Sequence, residues 1–148
     1  MACRIFSLLA IAGFVSSVAE AHAFAAEAIA GPVEAEVKRV IDGDTFVAEA
    51  RIWPGHTVMV SVRIRGVDAP EVRTRCTAEK QAGNKSRDEL EALIGERIVT
   101  IRNITGDKFF GRVLADVSAP DGKSVSGYLL ANALARPYAG GKRVGYCG

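Results

Sequence analysis

Three short stretches of the 148-residue sequence hold side chains that could do chemistry together. They are Asp42-Gly43-Asp44-Thr45, the run Arg63-Ile64-Arg65-Gly66-Val67-Asp68-Ala69-Pro70-Glu71, and Gly111-Arg112. Taken singly, each has a conformational explanation. Asp and Gly recur in tight turns for backbone reasons, and an arginine on a strand is most often simply solvated. Taken together, they supply acids before and after a proline corner and two arginines, the groups that hydrolysis of a phosphodiester calls for. That reaction needs a water made nucleophilic, positive charge on the non-bridging oxygens, and stabilisation of the extra negative charge at phosphorus. Hard carboxylate oxygens suit Ca²⁺ or Mg²⁺. Arginine holds phosphate oxygens through two aligned donors, a geometry lysine does not reproduce.

The elements that must position these residues are mostly short strands. Val37, Val40 and Ile41 lead into Asp42-Gly43-Asp44 and Thr45-Phe46-Val47 leads out, which predicts a tight hairpin. Trp53-Pro54-Gly55-His56 has the Pro-Gly order of a type II turn. After it Val58, Val60, Val62 and Ile64 alternate with Met59, Ser61, Arg63 and Arg65, a strand that sets Arg63 on the face opposite the valines. Pro70 removes a ladder donor and makes a rigid corner. A helix is expected from about Ala78 to Ile94, with Thr77 as cap, Leu90, Leu93 and Ile94 buried, and Gly95 as stop. Gly83-Asn84 weakens its middle, and Ser86 with Glu89 offers a capping box for a later start. Strands at Ile98 to Ile101 and Phe109 to Val117 flank a turn at Thr105-Gly106-Asp107. Ala119-Pro120-Asp121-Gly122 turns into a second helix carrying Val125, Leu129, Leu130, Ala133 and Leu134. The tail from Pro137 is Gly-rich and irregular, and no internal repeat is present. Five strands, with a helix after the third and another after the fifth, predict an α+β, mainly β domain: a five-stranded Greek-key barrel of the OB type with two helices.

The beginning of the chain reads as a targeting segment rather than fold. Met1-Ala2-Cys3-Arg4 precedes an uncharged run from Ile5 to Val18 and then Ala-x-Ala at Ala21 to Ala23 and Ala23 to Ala25. That is the order of a signal peptide over residues 1–23, with cleavage at 25 as the variant, and a retained anchor as the alternative. Residues 24–36 read as a flexible lead-in and 37–148 as one domain, since about 125 residues suffice for a single core. The leader takes one acid and one base, so the mature part keeps the net charge of +2, too mild for a protein that coats duplex phosphates. Export predicts a periplasmic or secreted protein without stable membrane association. Cys76 and Cys147 remain there as an even pair; a disulfide is the economical reading and two free thiols the alternative. A zinc site is not expected, with no CxxC spacing and His56 the one histidine left.

The segments Val40-Ile41-Asp42-Gly43-Asp44-Thr45, Arg63 through Glu71, and Phe110-Gly111-Arg112-Val113-Leu114-Ala115 resemble, in order and spacing, the successive signatures of staphylococcal-nuclease-like (thermonuclease) proteins. The resemblance runs from about Val37 to Arg136, and the Arg-x-x-x-x-Asp-x-Pro-Glu segment is its most specific part. It implies an OB barrel that hydrolyses DNA and RNA with one Ca²⁺. By the same likeness Asp44 and Asp68 would hold the ion with the Ala69 backbone carbonyl, and Thr45 would contact it through water. Glu71 stands where the family has its proposed general base, and Arg63 and Arg112 match its phosphate-binding arginines. Phe110 replaces a frequent tyrosine, so end preference is expected to differ, and with Gly148 last no third C-terminal helix is expected. Arg136 and Tyr138 lie near the family's nucleotide-binding groups, but the local spacing drifts and neither role carries over.

The expectation is therefore a monomeric nuclease on DNA and RNA, favouring single strands and reading little sequence, because nothing resembles a recognition helix. The rival from another class is a non-catalytic OB module that binds nucleic acid. Loss of Glu71 or of either arginine would favour that rival, and all three are present. A purely structural barrel ranks last, since it would gather like charges with nothing bound to offset them.

Overall fold

The computed structural model describes residues 27–147, so the expected signal peptide lies outside the described residues. Eight strands and two helices follow in the order β1 (Ala28–Ile29), β2 (Val33–Asp42), β3 (Thr45–Trp53), β4 (His56–Ile64), β5 (Val67–Asp68), α1 (Thr77–Ile94), β6 (Ile98–Gly106), β7 (Arg112–Ser118), α2 (Val125–Ala131) and β8 (Arg136–Pro137). β2, β3 and β4 form an antiparallel meander, β6 pairs with β2, and β7 pairs with β6. The parallel pairing of β4 with β7, Ser61 to Ile64 against Arg112 to Ala115, closes the ring. Closure gives each of the five barrel strands a partner on both sides, the expected five-stranded OB-type architecture.

Sharp curvature is needed to close so few strands, and the ladder supplies it at register shifts. β2 carries two, between Val37 and Arg39 and between Val40 and Asp42, and the second sits just before the acidic turn. Inside lie Phe46, Val62, Ile64, Val99 and Ile101, all buried. The inward alternation of β4 is clean only at its far end. Val62 and Ile64 are buried, while Val58 near the Trp53 turn is exposed.

Helix α1 runs unbroken through Gly83 and Asn84, so the later start at Ser86 is not used. It begins one residue before expectation, with Cys76 rather than Thr77 in the N-cap position and no side-chain cap. Gly83, Ser86, Leu90 and Ile94 form its buried stripe. Gly83 does more than weaken the helix. A Cβ there would lie 2.8 Å from the Pro70 carbonyl oxygen and 2.9 Å from the Glu71 backbone, so only glycine lets the proline corner rest on α1.

Three segments differ from the sequence reading. The lead-in is not loose along its length: Ala28 and Ile29 pair with Thr105 and Ile104, and Val33 to Glu36 pair with Ile101 to Ile98. An Ala-rich stretch without alternation hides strands that are held by a neighbour's edge. The strand expected from Phe109 starts at Arg112, because Gly111 takes φ +76° and turns the chain there. Finally, α2 ends at Ala131, although Leu134 is still buried.

Replacement of Gly83 by alanine separates these effects. Helix propensity alone would stabilise α1 by about 1 kcal/mol, whereas the backbone clash at Pro70 and Glu71 predicts a net loss of about 1–3 kcal/mol. Denaturant unfolding of Gly83→Ala measures the sign, and a net gain would show that the corner does not rest on the helix.

Candidate active site

The β2–β3 hairpin places the first acid. Its loop is Gly43-Asp44, closed by the pair Asp42 and Thr45, and the Asp44 N–H is drawn to Asp42 Oδ1 at 3.2 Å. A Cβ on Gly43 would come within 2.5 Å of the Ser86 Cβ and 2.8 Å of the Ala69 Cβ, so the turn is wedged between α1 and the proline corner. Asp44 is thereby buried with every acceptor directed. Its Oδ1 accepts from Arg63 Nη1 at 3.0 Å and from the Thr45 hydroxyl at 2.8 Å, and its Oδ2 accepts from the Ala69 N–H at 2.9 Å.

Arg63 sits opposite Thr45 on β3 and opposite Leu114 on β7, at the same end of the barrel. Its second terminal nitrogen reaches Asp68 Oδ1 at 3.2 Å, so one guanidinium bridges both buried acids. Asp68 lies not on the same strand but on β5, after the turn at Gly66, where it pairs with Arg136 of β8. Glu71 follows the corner and is half exposed. Arg112 opens β7; Asp107 takes its Nε at 2.5 Å, its guanidinium covers the Phe109 ring at 4.4 Å, and its terminal nitrogens have no partner among the described residues. Arg63, Glu71, Arg112 and Tyr138 line one groove of about 850 Å³, with Asp44 and Asp68 buried beneath Arg63. Thr45 is buried and spends its hydroxyl on Asp44.

The tail adds what sequence reasoning missed. Arg143 Nη2 donates to Asp68 Oδ1 at 2.6 Å and to the Ala69 carbonyl at 3.1 Å, while Nη1 pairs with Glu71 Oε1. The Tyr146 hydroxyl donates to the Asp68 carbonyl at 2.7 Å. Arg136 stacks over Tyr146 at 3.8 Å, so it serves the tail and not the groove. Cys76 and Cys147 are joined as a disulfide across 71 residues, which the chain-entropy account values at roughly 4 kcal/mol. The even cysteine pair was the one signal that something anchors this irregular segment.

Burial pushes the Asp44 carboxyl up to about 6, and the Asp42 charge adds to it; Arg63, the Ala69 N–H and the Thr45 hydroxyl oppose the rise. Asp107 shows the reverse balance. Burial would raise its carboxyl, but the Arg112 hydrogen bond, the Lys108 N–H and the charges of Arg112 and Arg63 hold it below the usual range.

The donor chemistry fits a hard divalent cation. Asp44, Asp68 and the Ala69 carbonyl offer only oxygen, and Asp68, Ala69 and Glu71 already converge on one positive group, the Arg143 guanidinium. Among the described residues no three acidic, histidine or cysteine side chains gather round a point as they stand. Arg63 and Arg143 hold the carboxylates instead.

The family described as staphylococcal nuclease homologue matches residues 61–145, which takes in the end of β4 with Arg63, the proline corner, Arg112 and the tail arginine. The chain belongs to that family. An uncharacterized endonuclease of Escherichia coli is 31% identical over 99 residues, covering 66% of this chain and 56% of the relative. One of Escherichia coli O157:H7 gives the same figures. The chain thus spans little more than half the length of the curated relatives it matches.

The elevated Asp44 value carries a pH signature. A carboxyl whose folded value lies above its ordinary 3.8 favours the native state as the neutral acid; that contribution is complete below pH 3.8 and is lost as pH rises through about 6. In chelator, the stability difference between Asp44→Asn and the parent is therefore expected to move in the variant's favour by about 2–3 kcal/mol between pH 4 and 7, at 1.36 kcal/mol per unit, on top of a pH-independent cost for the amide donor that replaces one accepting oxygen. Thermal or urea unfolding across that range checks it, and a pH-independent difference would contradict the assignment.

Proposed function

We propose that this chain is a Ca²⁺-dependent nuclease that hydrolyses phosphodiester bonds of DNA and RNA with little sequence preference. The observation that carries the reading is the arrangement at the groove: Asp44 and Asp68 buried and bridged by Arg63, with Glu71 and Arg112 lining the same groove. It acts as a monomer, favours single strands, and works in the periplasm or the medium. Support for the compartment is the disulfide.

Each residue has a role that its position allows. Arg112 keeps its terminal nitrogens without partners among the described residues and takes a non-bridging phosphate oxygen as the substrate enters. Arg63 has one guanidinium edge committed to the two acids, so its charge stays fixed beside the phosphorus as negative charge develops. Glu71 accepts the proton of the attacking water as the new O–P bond forms, and the leaving oxygen departs with a proton from solvent. Ca²⁺ would be held by Asp44, Asp68 and the Ala69 carbonyl, with Thr45 contacting it through water; when bound it supplies positive charge to the phosphate oxygens and orients the water. Asp107 acts through Arg112, holding its guanidinium against the Phe109 ring. The exposed Phe110 offers a face on which an unpaired base stacks, which suits single strands.

Release of acid-soluble nucleotides from denatured DNA and from RNA tests the reading, with the disulfide-intact protein in Ca²⁺ and in chelator. The expected result is calcium-dependent release from both substrates, reduced about 10²–10⁴-fold in Glu71→Gln. No release by the folded parent would replace the nuclease with a nucleic-acid-binding OB module, and full activity of Glu71→Gln would remove the proton-transfer role.

A further inference from the structure

Arg143 brings a positive charge from the far end of the chain into the acidic site. An arginine stationed to receive a substrate phosphate keeps its terminal nitrogens free, as Arg112 does. Arg143 spends both of its own on the site's oxygens: Asp68 Oδ1 at 2.6 Å, the Ala69 carbonyl at 3.1 Å, and Glu71 Oε1. Those are the oxygens assigned above to the metal and to the attacking water. A guanidinium and a divalent ion compete for them directly, since both need the same lone pairs and their charges repel.

The segment carrying Arg143 is fastened on both sides. Before it, the Tyr138 N–H donates to the Gly66 carbonyl at 3.0 Å. After it come the Tyr146 hydrogen bond to the Asp68 carbonyl and the Cys76–Cys147 disulfide. Between these anchors Gly140 and Gly141 hold φ values of +99° and +92°, and neither would bring a Cβ within 4 Å of anything. Backbone there can pivot without a steric barrier. Arg143 itself is 38% exposed, so its guanidinium can leave toward solvent without opening the core.

We infer that the tail from Tyr138 to Cys147 is an autoinhibitory strap, in which Arg143 is a tethered cation that keeps the divalent-ion site closed until an ion displaces it. The inference rests on the metal reading given above. The disulfide holds the guanidinium at high effective concentration beside its acceptors. Apparent ion affinity is then the intrinsic affinity scaled by the fraction of molecules with the strap open. The strap also gives Glu71 a cationic partner and Asp68 a second one beside Arg63 in the metal-free protein, offsetting the repulsion between the two carboxylates.

Calcium titration by calorimetry tests this with the disulfide-intact parent, Arg143→Gln and Cys147→Ser, alongside thermal unfolding in chelator. Arg143→Gln is expected to lower the Kd for Ca²⁺ by about tenfold, the change for a strap closed about nine tenths of the time. Cys147→Ser is expected to shift Kd the same way by a smaller factor, and it carries the test if Arg143→Gln does not fold without metal. In chelator Arg143→Gln should melt below the parent, while its rise in Tm on calcium addition should exceed the parent's. Calcium binding with a Kd unchanged or weakened in the variants would overturn the strap and leave the nuclease reading intact. No calcium binding by any of the three would overturn both the strap and the calcium site.

Discussion

One guanidinium organises the working end of this barrel. Arg63 donates to Asp44 in the β2–β3 turn and to Asp68 on β5, tying together two segments that are otherwise joined there through the Ala69 N–H on Asp44 Oδ2. Desolvating three charges is expensive, and a buried ion network adds little net stability over apolar packing. What it secures is position. Removing the arginine would leave the Asp44 carboxylate buried without its cationic partner, a change worth about 3–5 kcal/mol against the fold. The pleat of β4 sets where Arg63 points, and the parallel contact with β7 fixes β4 beside Arg112.

Glycine does the complementary work on the acidic side. The hairpin turn reaches Ala69 and Ser86 because Gly43 has no Cβ, and the proline corner rests on α1 because Gly83 has none. Both acids are therefore held by backbone seated on a helix rather than by flexible loops, and little reorganisation remains when charge develops at the site. Their burial has a second effect. Asp44 is pushed toward the neutral acid despite its guanidinium partner, so the site favours added positive charge. The strap meets part of that preference with Arg143.

Much of this was legible in the sequence, and the reasons are local. Asp-Gly-Asp between β-prone runs marks a two-residue turn, the alternation from Val58 to Ile64 gives the facing of Arg63, and Pro70 marks the corner. The five-strand order with its two helices follows from turn residues spaced along the chain, and the closed barrel agrees with it. The unread parts depend on partners distant in sequence. Arg143 meets Glu71 across 72 residues from a Gly-rich tail with no period, and Ala28 and Ile29 are strand only because β6 offers an edge. Phe109 and Phe110 carry high strand propensity, yet they stand in the turn before Gly111, where one packs on Arg112 and the other is fully exposed. Propensity reported the residue type and not the place.

The central claim is that the carboxylates gathered by Arg63 form a divalent-cation site. Anomalous scattering from crystals grown in saturating Ca²⁺ tests it most directly. The account predicts one calcium peak bonded to Asp44, Asp68 and the Ala69 carbonyl, with Arg143 withdrawn from Asp68. A structure under the same conditions in which Arg143 still holds Asp68 and no ion lies among these oxygens would contradict it.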